Sequence, residues 1–309
     1  MAKSDCARQA TTPRSTRLLL IGGGDVAFRT LAFLPRRCRV TAFVREGPQV
    51  ARLRLAGVRV IVGDLDDAGS MARLAGHADR IIYSAPPAAD GDRDRRLEAA
   101  LAALSAGRLP RSLVYISTSG VYGDHAGARV VEASPQRTAS PRARRRVSAE
   151  RCVRAWGRRL GVATGILRAP GIYAADRLPL GRIRAGTPAI AADEDSYSNH
   201  IHADDLARAC ILALLRARGG RAFNVCDDLP LRMGDYFDAV ADHFGLARPP
   251  RQPREAVRGR VDPMLWSFMA ESRRLDNRRA RLELRLKLAY PTVASFLETV
   301  DVDTASPRV

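Results

Sequence analysis

Four consecutive apolar residues, Leu18 to Ile21, run straight into Gly22-Gly23-Gly24-Asp25-Val26-Ala27, and this junction constrains the chain more than any other stretch. An unbroken apolar run of that length suits a strand covered on both faces of a parallel sheet. Gly22, Gly24 and Ala27 stand at the G-x-G-x-x-G/A spacing of a dinucleotide-binding turn. Gly22 permits the tight turn, Gly24 lets the backbone approach a pyrophosphate, and small Ala27 lets the next helix, expected over Asp25 to Leu34, pack near the strand. The first N–H groups of that helix, at Asp25 and Val26, face the phosphates. An ordinary glycine-rich turn can be spelled the same way, so the residues that follow decide.

They alternate between strand and helix. Strands are expected at Cys38 to Val44, Val58 to Val62, Arg80 to Tyr83, Ser112 to Ile116 and Val162 to Leu167, with helices at Asp67 to Ala75 and Asp92 to Ala106. Such regularity predicts an α/β fold of the Rossmann type, a doubly wound parallel sheet with its ligand at the carboxyl ends of the strands. After the second strand, Arg45 stands where an arginine accommodates a 2′-phosphate, which favours NADP; Glu46 beside it keeps NAD open. Asp64 and Leu65 end the third strand, where an adenine or ribose can sit, although Asp64 also suits a helix cap. Ser84, Ala85 and Pro86 end the fourth with small side chains across which a ligand can lie.

The fifth strand leads into Ser117-Thr118-Ser119-Gly120-Val121-Tyr122. Hydroxyls at a strand end can steady charge on a substrate oxygen as a hydride moves; a plain Ser/Thr turn is the alternative. His200-x-His202-x-Asp204 places alternate side chains on one strand face, yet it reads better as a strand-to-helix junction with Asp204 capping a helix over Ala203 to Arg216 than as a metal site. A short strand at Phe223 to Val225 and a helix at Met233 to Phe244 follow. Pro249 to Arg260 reads as a loop, Met264 to Leu288 as helical, and Val293 to Val300 as a last helix. No metal site and no internal repeat is evident.

Composition narrows the partners. The net charge of +18 invites nucleic acid, but Lys3 and Lys287 are the only lysines among 51 basic residues and the arginines are spread along the chain. The densest cluster, Arg142 with Arg144 to Arg146, has no interleaved aromatics to stack bases, which argues against nucleic-acid binding. No apolar run reaches the roughly 20 residues of a membrane span. Residues 1–16 lack the apolar centre of a signal peptide and read as a disordered tail. Five scattered cysteines without a C-x-x-C pair suit reduced thiols in a cytoplasm.

Six ordered segments carry a resemblance: Gly22-x-Gly24-x-x-Ala27; Gly63-Asp64-Leu65; Tyr115 to Gly123; Leu167-Arg168-Ala169-Pro170-Gly171-Ile172-Tyr173; Asn199 to Ala207; and Phe223-Asn224-Val225. Over roughly residues 17–245 the chain resembles the extended short-chain dehydrogenase/reductases, the NAD-dependent epimerase/dehydratase group. The resemblance implies an NAD(P)-binding Rossmann domain, residues 17–170, and a smaller substrate lobe, residues 171–309, with elements returning to the sheet. It implies a small-molecule substrate, often a nucleotide sugar or a related hydroxyl or carbonyl compound, and a homodimer through the helices flanking the sheet. Ser117, Pro170 and Gly171 then stand beside cofactor, and Tyr173 and His202 beside substrate.

The family's Tyr-x-x-x-Lys falls within Pro141 to Ser148, where this chain has Arg142 and Arg146. Arg146 still suits cofactor ribose and supplies positive potential, but a guanidinium stays protonated and passes no proton. The matched hydroxyl is Thr118, with Ser117 and Ser119 as close alternatives, and Tyr122 is the first choice of acid, ahead of Tyr173 and His202. Ser119 and Gly120 replace the Asp-Glu pair of sugar dehydratases, which argues against water elimination by that route. Two functions stay open: an NADP-preferring oxidoreductase or epimerase, whose arginine-lined pocket suits an anionic substrate, and an NADP(H)-binding sensor or regulator without chemistry.

Overall fold

Alternating apolar residues build one sheet with two greasy faces. The computed structural model describes residues 15–138 and 140–302; positions 1–14 of the expected tail, with Cys6, lie outside the described residues. Seven strands, β1 (Arg17–Ile21), β2 (Arg39–Val44), β3 (Arg59–Val62), β4 (Arg80–Tyr83), β5 (Ser112–Thr118), β6 (Ala163–Ala169) and β7 (Arg221–Asn224), pair in parallel in the order β3-β2-β1-β4-β5-β6-β7. Leu19 sits between Thr41 and Ile81, which fixes the register at the centre. The order reverses between β1 and β4, the switch point at which doubly wound sheets open a crevice.

Period two divides the core. Leu18, Leu20, Ile82, Val114 and Leu167 face one way, against α1 (Asp25–Arg29) and α5 (Ala203–Arg216). Leu19, Ile21, Ile81, Leu113 and Tyr115 face the other, against α3 (Arg95–Ser105) and α4 (Pro141–Leu160). The helix α2 (Pro48–Leu55) lies between β2 and β3 and begins with a proline at its first turn, the position where a missing N–H costs nothing.

A second core forms outside the sheet. Tyr173, Ile183, Phe237, Val240, Val293 and Phe296 pack around α6 (Met233–His243). Two short parallel strands, Gly171–Tyr173 and His200–His202, carry the chain from β6 into this region and back to α5. Buried Asp205 ties down the closing segment by accepting hydrogen bonds from the backbone N–H groups of Ala289 (2.8 Å) and Tyr290 (3.0 Å).

Several local expectations need correction. The opening helix is α-helical only over Asp25–Arg29 and tightens to 3-10 geometry at Thr30–Phe33, where the buried Thr30 hydroxyl donates to the Ala27 carbonyl. Met264 to Leu288 is not one helix. It divides into α7 (Pro263–Met269), a two-residue strand Arg274–Leu275 beside Arg129–Val130, and a turn and a half at Arg278–Glu283. The Leu275 N–H goes to Asn199 Oδ1 (2.7 Å) and the Asp276 N–H to the Val130 carbonyl (3.0 Å), partners outside any helix. The Pro249 to Arg260 loop contains a helical turn, Arg254–Arg258. Among the described helices none is long and apolar enough to cross a membrane.

Candidate cofactor cleft and reaction site

The cleft is walled mainly by the carboxyl ends of strands. At the end of β1, Gly22 adopts φ +102°, and a Cβ there would stand 2.8 Å from the Ala85 nitrogen and from Ser84 Oγ. Only glycine lets the turn lie this close to the end of β4. The Ile21 carbonyl accepts from both Ser84 N–H (2.9 Å) and Ala85 N–H (3.1 Å), locking the two strand ends together. A Cβ on Gly24 would meet nothing within 4 Å, so the backbone ahead of α1 is open.

These glycines form the floor of a cleft of about 400 Å³ at the switch point. Of the residues expected at a cofactor, Gly22, Gly24, Arg45, Asp64, Leu65, Ser84, Ala85 and Pro86 line it together. Arg45 does so while neighbouring Glu46 does not. Gly63 of the Gly63-Asp64-Leu65 segment lines it as well, together with Gly23, Phe43, Val44, Gln49 and Arg96, which were not expected at a cofactor from sequence. Glycine is required at 63, where a Cβ would stand 2.6 Å from the Phe43 ring. Arg96 comes from the first turn of α3 and pairs with Asp66 on the rim. Nothing in the local sequence marks Arg96, because the fold alone brings α3 to this end of the sheet.

The remaining cofactor expectations fall elsewhere. Val26 and Ala27 are buried against the sheet, and Asp25 is bound by Arg29 (2.8 Å). Asp64 accepts from the Asp66 N–H (3.0 Å), and the cap of the following helical turn is Asp67, which accepts from Gly69 and Ser70. The buried Ser117 hydroxyl donates to Glu150 (2.8 Å), and Ser117 does not line the cleft. Pro170 and Gly171 turn the chain out of β6, and neither lines the cleft; the Gly171 N–H donates to the Asn199 carbonyl (3.1 Å).

At the end of β5 the three hydroxyls part company. Ser117 and Ser119 are buried, whereas Thr118 is half-exposed and its Oγ1 accepts from the Gly120 N–H (3.2 Å), capping the one-turn helix Ser119–Tyr122. Thr118 is thus the most exposed of the three. Arg146 reaches the same strand, donating from Nη1 to the Tyr115 hydroxyl (2.9 Å) and the Ile116 carbonyl (3.0 Å).

The expected proton donors are structural. Tyr122 is fully buried; its hydroxyl donates to Asn224 Oδ1 (2.6 Å) and accepts from Arg168 (2.8 Å). Burial pushes its pKa up to about 12, with the Arg168 charge acting the other way. Tyr173 is buried in the outer core with its hydroxyl 3.5 Å from the Thr292 carbonyl, and burial first, then Asp227 and Asp205, push it far up. His202 is buried among Tyr290, Phe296 and Tyr173, with ring centroids 4.1, 4.7 and 5.4 Å away. Its Nδ1 accepts the Asp204 N–H (3.2 Å), so the histidine caps α5, not Asp204 as expected; Asp204 instead pairs with Arg29 (2.8 Å). Among the described residues no group of three His, Cys, Asp or Glu side chains is arranged to hold a metal ion, His202 and its neighbours included.

Residues 24–226 match the model of the NAD dependent epimerase/dehydratase family. That match covers well over half the chain, and with the doubly wound sheet it makes this protein a member of that family. A conserved protein of unknown function from Silicibacter pomeroyi shares 28% identity, with 93% of this chain and 99% of that one aligned at a TM-score of 0.77. The dTDP-glucose 4,6-dehydratase from Streptomyces venezuelae, solved with NAD bound, is 21% identical over 93% of this chain and 96% of its own, with a TM-score of 0.75. UDP-glucuronic acid 4-epimerase from Bacillus cereus, solved with NAD, is 16% identical over 93% and 98%, with a TM-score of 0.72. At these identities the last two share the fold. A search of curated proteins finds no match.

Proposed function

We propose that this protein is an NAD(P)-dependent oxidoreductase or epimerase that acts on a hydroxyl or carbonyl carbon of a small molecule of the nucleotide-sugar kind. The observation that carries the reading is the cleft at the switch point, whose glycines leave backbone and empty space where a pyrophosphate needs them. The residues present fit a dinucleotide. Gly22 and Gly24 admit the pyrophosphate, Arg45 answers a 2′-phosphate and favours NADP, Asp64 and Leu65 flank the adenosine, and Ser84 to Pro86 form the opposite wall. The bound nicotinamide would supply the hydride donor or acceptor.

The chain's own contribution is orientation and charge. Thr118 donates to the substrate oxygen and holds it in place. Arg146, anchored on Tyr115 and Ile116, keeps a fixed positive potential near that oxygen without passing a proton. Tyr122, Tyr173 and His202 are withdrawn from this role by their burial.

That withdrawal favours a second reading, an NADP(H)-binding sensor or regulator without turnover. The two separate in one experiment: purified protein is mixed with NADPH and a panel of carbonyl compounds, and nicotinamide oxidation is followed by absorbance. Turnover that falls in Thr118→Ala supports the enzyme. Saturable NADPH binding without turnover on any carbonyl supports the sensor.

A further inference from the structure

The amino ends of the strands, at the pole of the sheet away from the cofactor cleft, surround a second opening. Arg17 begins β1, Arg39 β2, Arg59 β3 and Arg80 β4, and Arg111 stands directly before β5. Parallel pairing sets the central ones abreast: the Asp79 N–H donates to the Arg17 carbonyl (2.9 Å) and the Arg111 N–H to the Asp79 carbonyl (2.7 Å). Residues abreast in neighbouring strands share a face, so Arg17, Asp79 and Arg111 project to one side of the sheet and Arg80, one residue on, to the other.

The cavity here holds about 450 Å³, no smaller than the cofactor cleft. Arg17, Arg80, Arg108 and Arg111 line it against a single carboxylate, Asp79, which leaves an excess of three positive charges. Asp79 is already shared by Arg17 (3.4 Å) and Arg108 (3.3 Å). Among the described residues neither Arg80 nor Arg111 has an ion-pair partner.

The base of the cavity is fixed by the fold. Arg80 donates from Nη1 to Ser112 Oγ (3.1 Å) and to the Leu214 carbonyl in the last turn of α5, and Ser112 Oγ donates to the same carbonyl (3.0 Å). The Nε and Nη2 of Arg80, like the whole guanidinium of Arg111, have no hydrogen-bond partner among the described residues. Burial lowers the Arg80 pKa first, and Arg111 and Arg218 lower it further, against Asp79 and Cys38. Like charges held in place with donors to spare are relieved by an oxyanion, which a guanidinium binds through two parallel N–H bonds. No aromatic ring lines the cavity to stack a base, so phosphate is the group it can recognise. One phosphate monoester carries about 1.5 to 2 negative charges, less than the excess here.

We propose that this cavity is a second anion site, which binds a condensed phosphate, either free pyrophosphate or the polyphosphate of a nucleotide, independently of the cofactor cleft. Ser84, four residues beyond Arg80 along β4, lines that cleft, so the two sites stand roughly 13 Å apart through the sheet.

The test is calorimetric titration of the full chain with inorganic pyrophosphate at fixed ionic strength, because attraction to a diffuse basic surface is screened by salt. The expected result is one saturable site, about tenfold or more tighter than for orthophosphate. Arg111→Gln and Arg80→Gln each weaken it about tenfold or more, whereas Arg59→Gln, at the same pole but outside the cavity, leaves it within about twofold. Arg111 is exposed and its side chain bonds to nothing in the fold, so Arg111→Gln melts with the unaltered protein and a folding defect does not explain its loss of binding. ATP, titrated with NADPH present, separates the two sources: a gain over pyrophosphate that Arg111→Gln abolishes identifies a nucleotide, and no gain identifies inorganic pyrophosphate. No saturable site, unchanged affinity in Arg111→Gln, or equal weakening by Arg59→Gln overturns the proposal. Competition between pyrophosphate and NADPH also overturns it, by placing the anion in the cofactor cleft. Pyrophosphate binding intact in a protein that does not bind NADPH contradicts the cofactor reading alone.

Discussion

Arg168 holds Glu150 through two hydrogen bonds, Nε to Oε1 at 2.9 Å and Nη2 to Oε2 at 2.7 Å, with both side chains buried between β6 and α4. The same guanidinium donates to Tyr122 and the Glu132 carbonyl, and Ser117 adds a bond to the same carboxylate. This network fixes the end of β5 on which Thr118 stands.

Removing Glu150 leaves the Arg168 charge buried without a carboxylate, and removing Arg168 leaves buried Glu150 with only Arg154, at 3.2 Å, as its ion-pair partner. Arg168→Met or Glu150→Gln is expected to cost about 3–5 kcal/mol, read from urea midpoints, and the double variant to recover part of that loss. Burial pushes the Glu150 carboxyl up, but the Arg168 bonds and charge outweigh it and hold it below the ordinary range. The folded pKa lies below the unfolded one, so this stability is present above the unfolded value of about 4.3 and is lost as pH falls through the folded value. Acid unfolding that begins equally early in Glu150→Gln and the unaltered protein would contradict this assignment.

His200 adds a second acid sensitivity. Burial alone lowers its pKa to about 4, and its Nδ1 has no partner. A histidine depressed in the fold stabilises above its unfolded pKa of about 6.5 and loses that contribution as pH falls toward 4. His200→Phe keeps a ring against Tyr236 and is expected to remove about 3 kcal/mol of the stability change between those pH values. Denaturant titrations at several pH values check it.

The hydroxyls at the end of β5 should divide by role. Ser117→Ala, which strips a bond from buried Glu150, is expected to lower stability by about 1–3 kcal/mol. Thr118→Ala is expected to lower turnover on the order of a hundredfold with a much smaller change in melting temperature. The reverse pattern would reassign the working hydroxyl.

The residues that line the cleft were legible in sequence because the features that mark them are local. Tight turns, open backbone and a strand-end arginine are written in consecutive residues, as at Gly22 to Gly24 and Arg45. The burial of the expected proton donors was not. Tyr122, Tyr173 and His202 carry the right functional groups in the right motifs, but their burial depends on Asn224, Arg168, Phe296 and Tyr290, which are remote in the chain. The broken helix near Leu275 failed for the same reason: its apolar periodicity gave no sign that Asn199 and Val130 would claim the backbone.

The choice of nicotinamide cofactor turns on Arg45. Arg45→Asp is expected to weaken NADPH binding on the order of tenfold or more while leaving NADH within a few-fold, as loss of a charge-assisted contact to the 2′-phosphate requires. Equal weakening of both would place Arg45 outside the discriminating contact.

Gly24→Val gives the most direct measurement of the central claim. A Cβ there meets no protein atom within 4 Å and stands in the open space ahead of α1. Titration with NADPH and NADH, followed by nicotinamide fluorescence, should show saturable binding by the unaltered protein and none by Gly24→Val, with the two melting alike. Binding of neither dinucleotide by the unaltered protein, or equal binding by the variant, would contradict a dinucleotide site in this cleft.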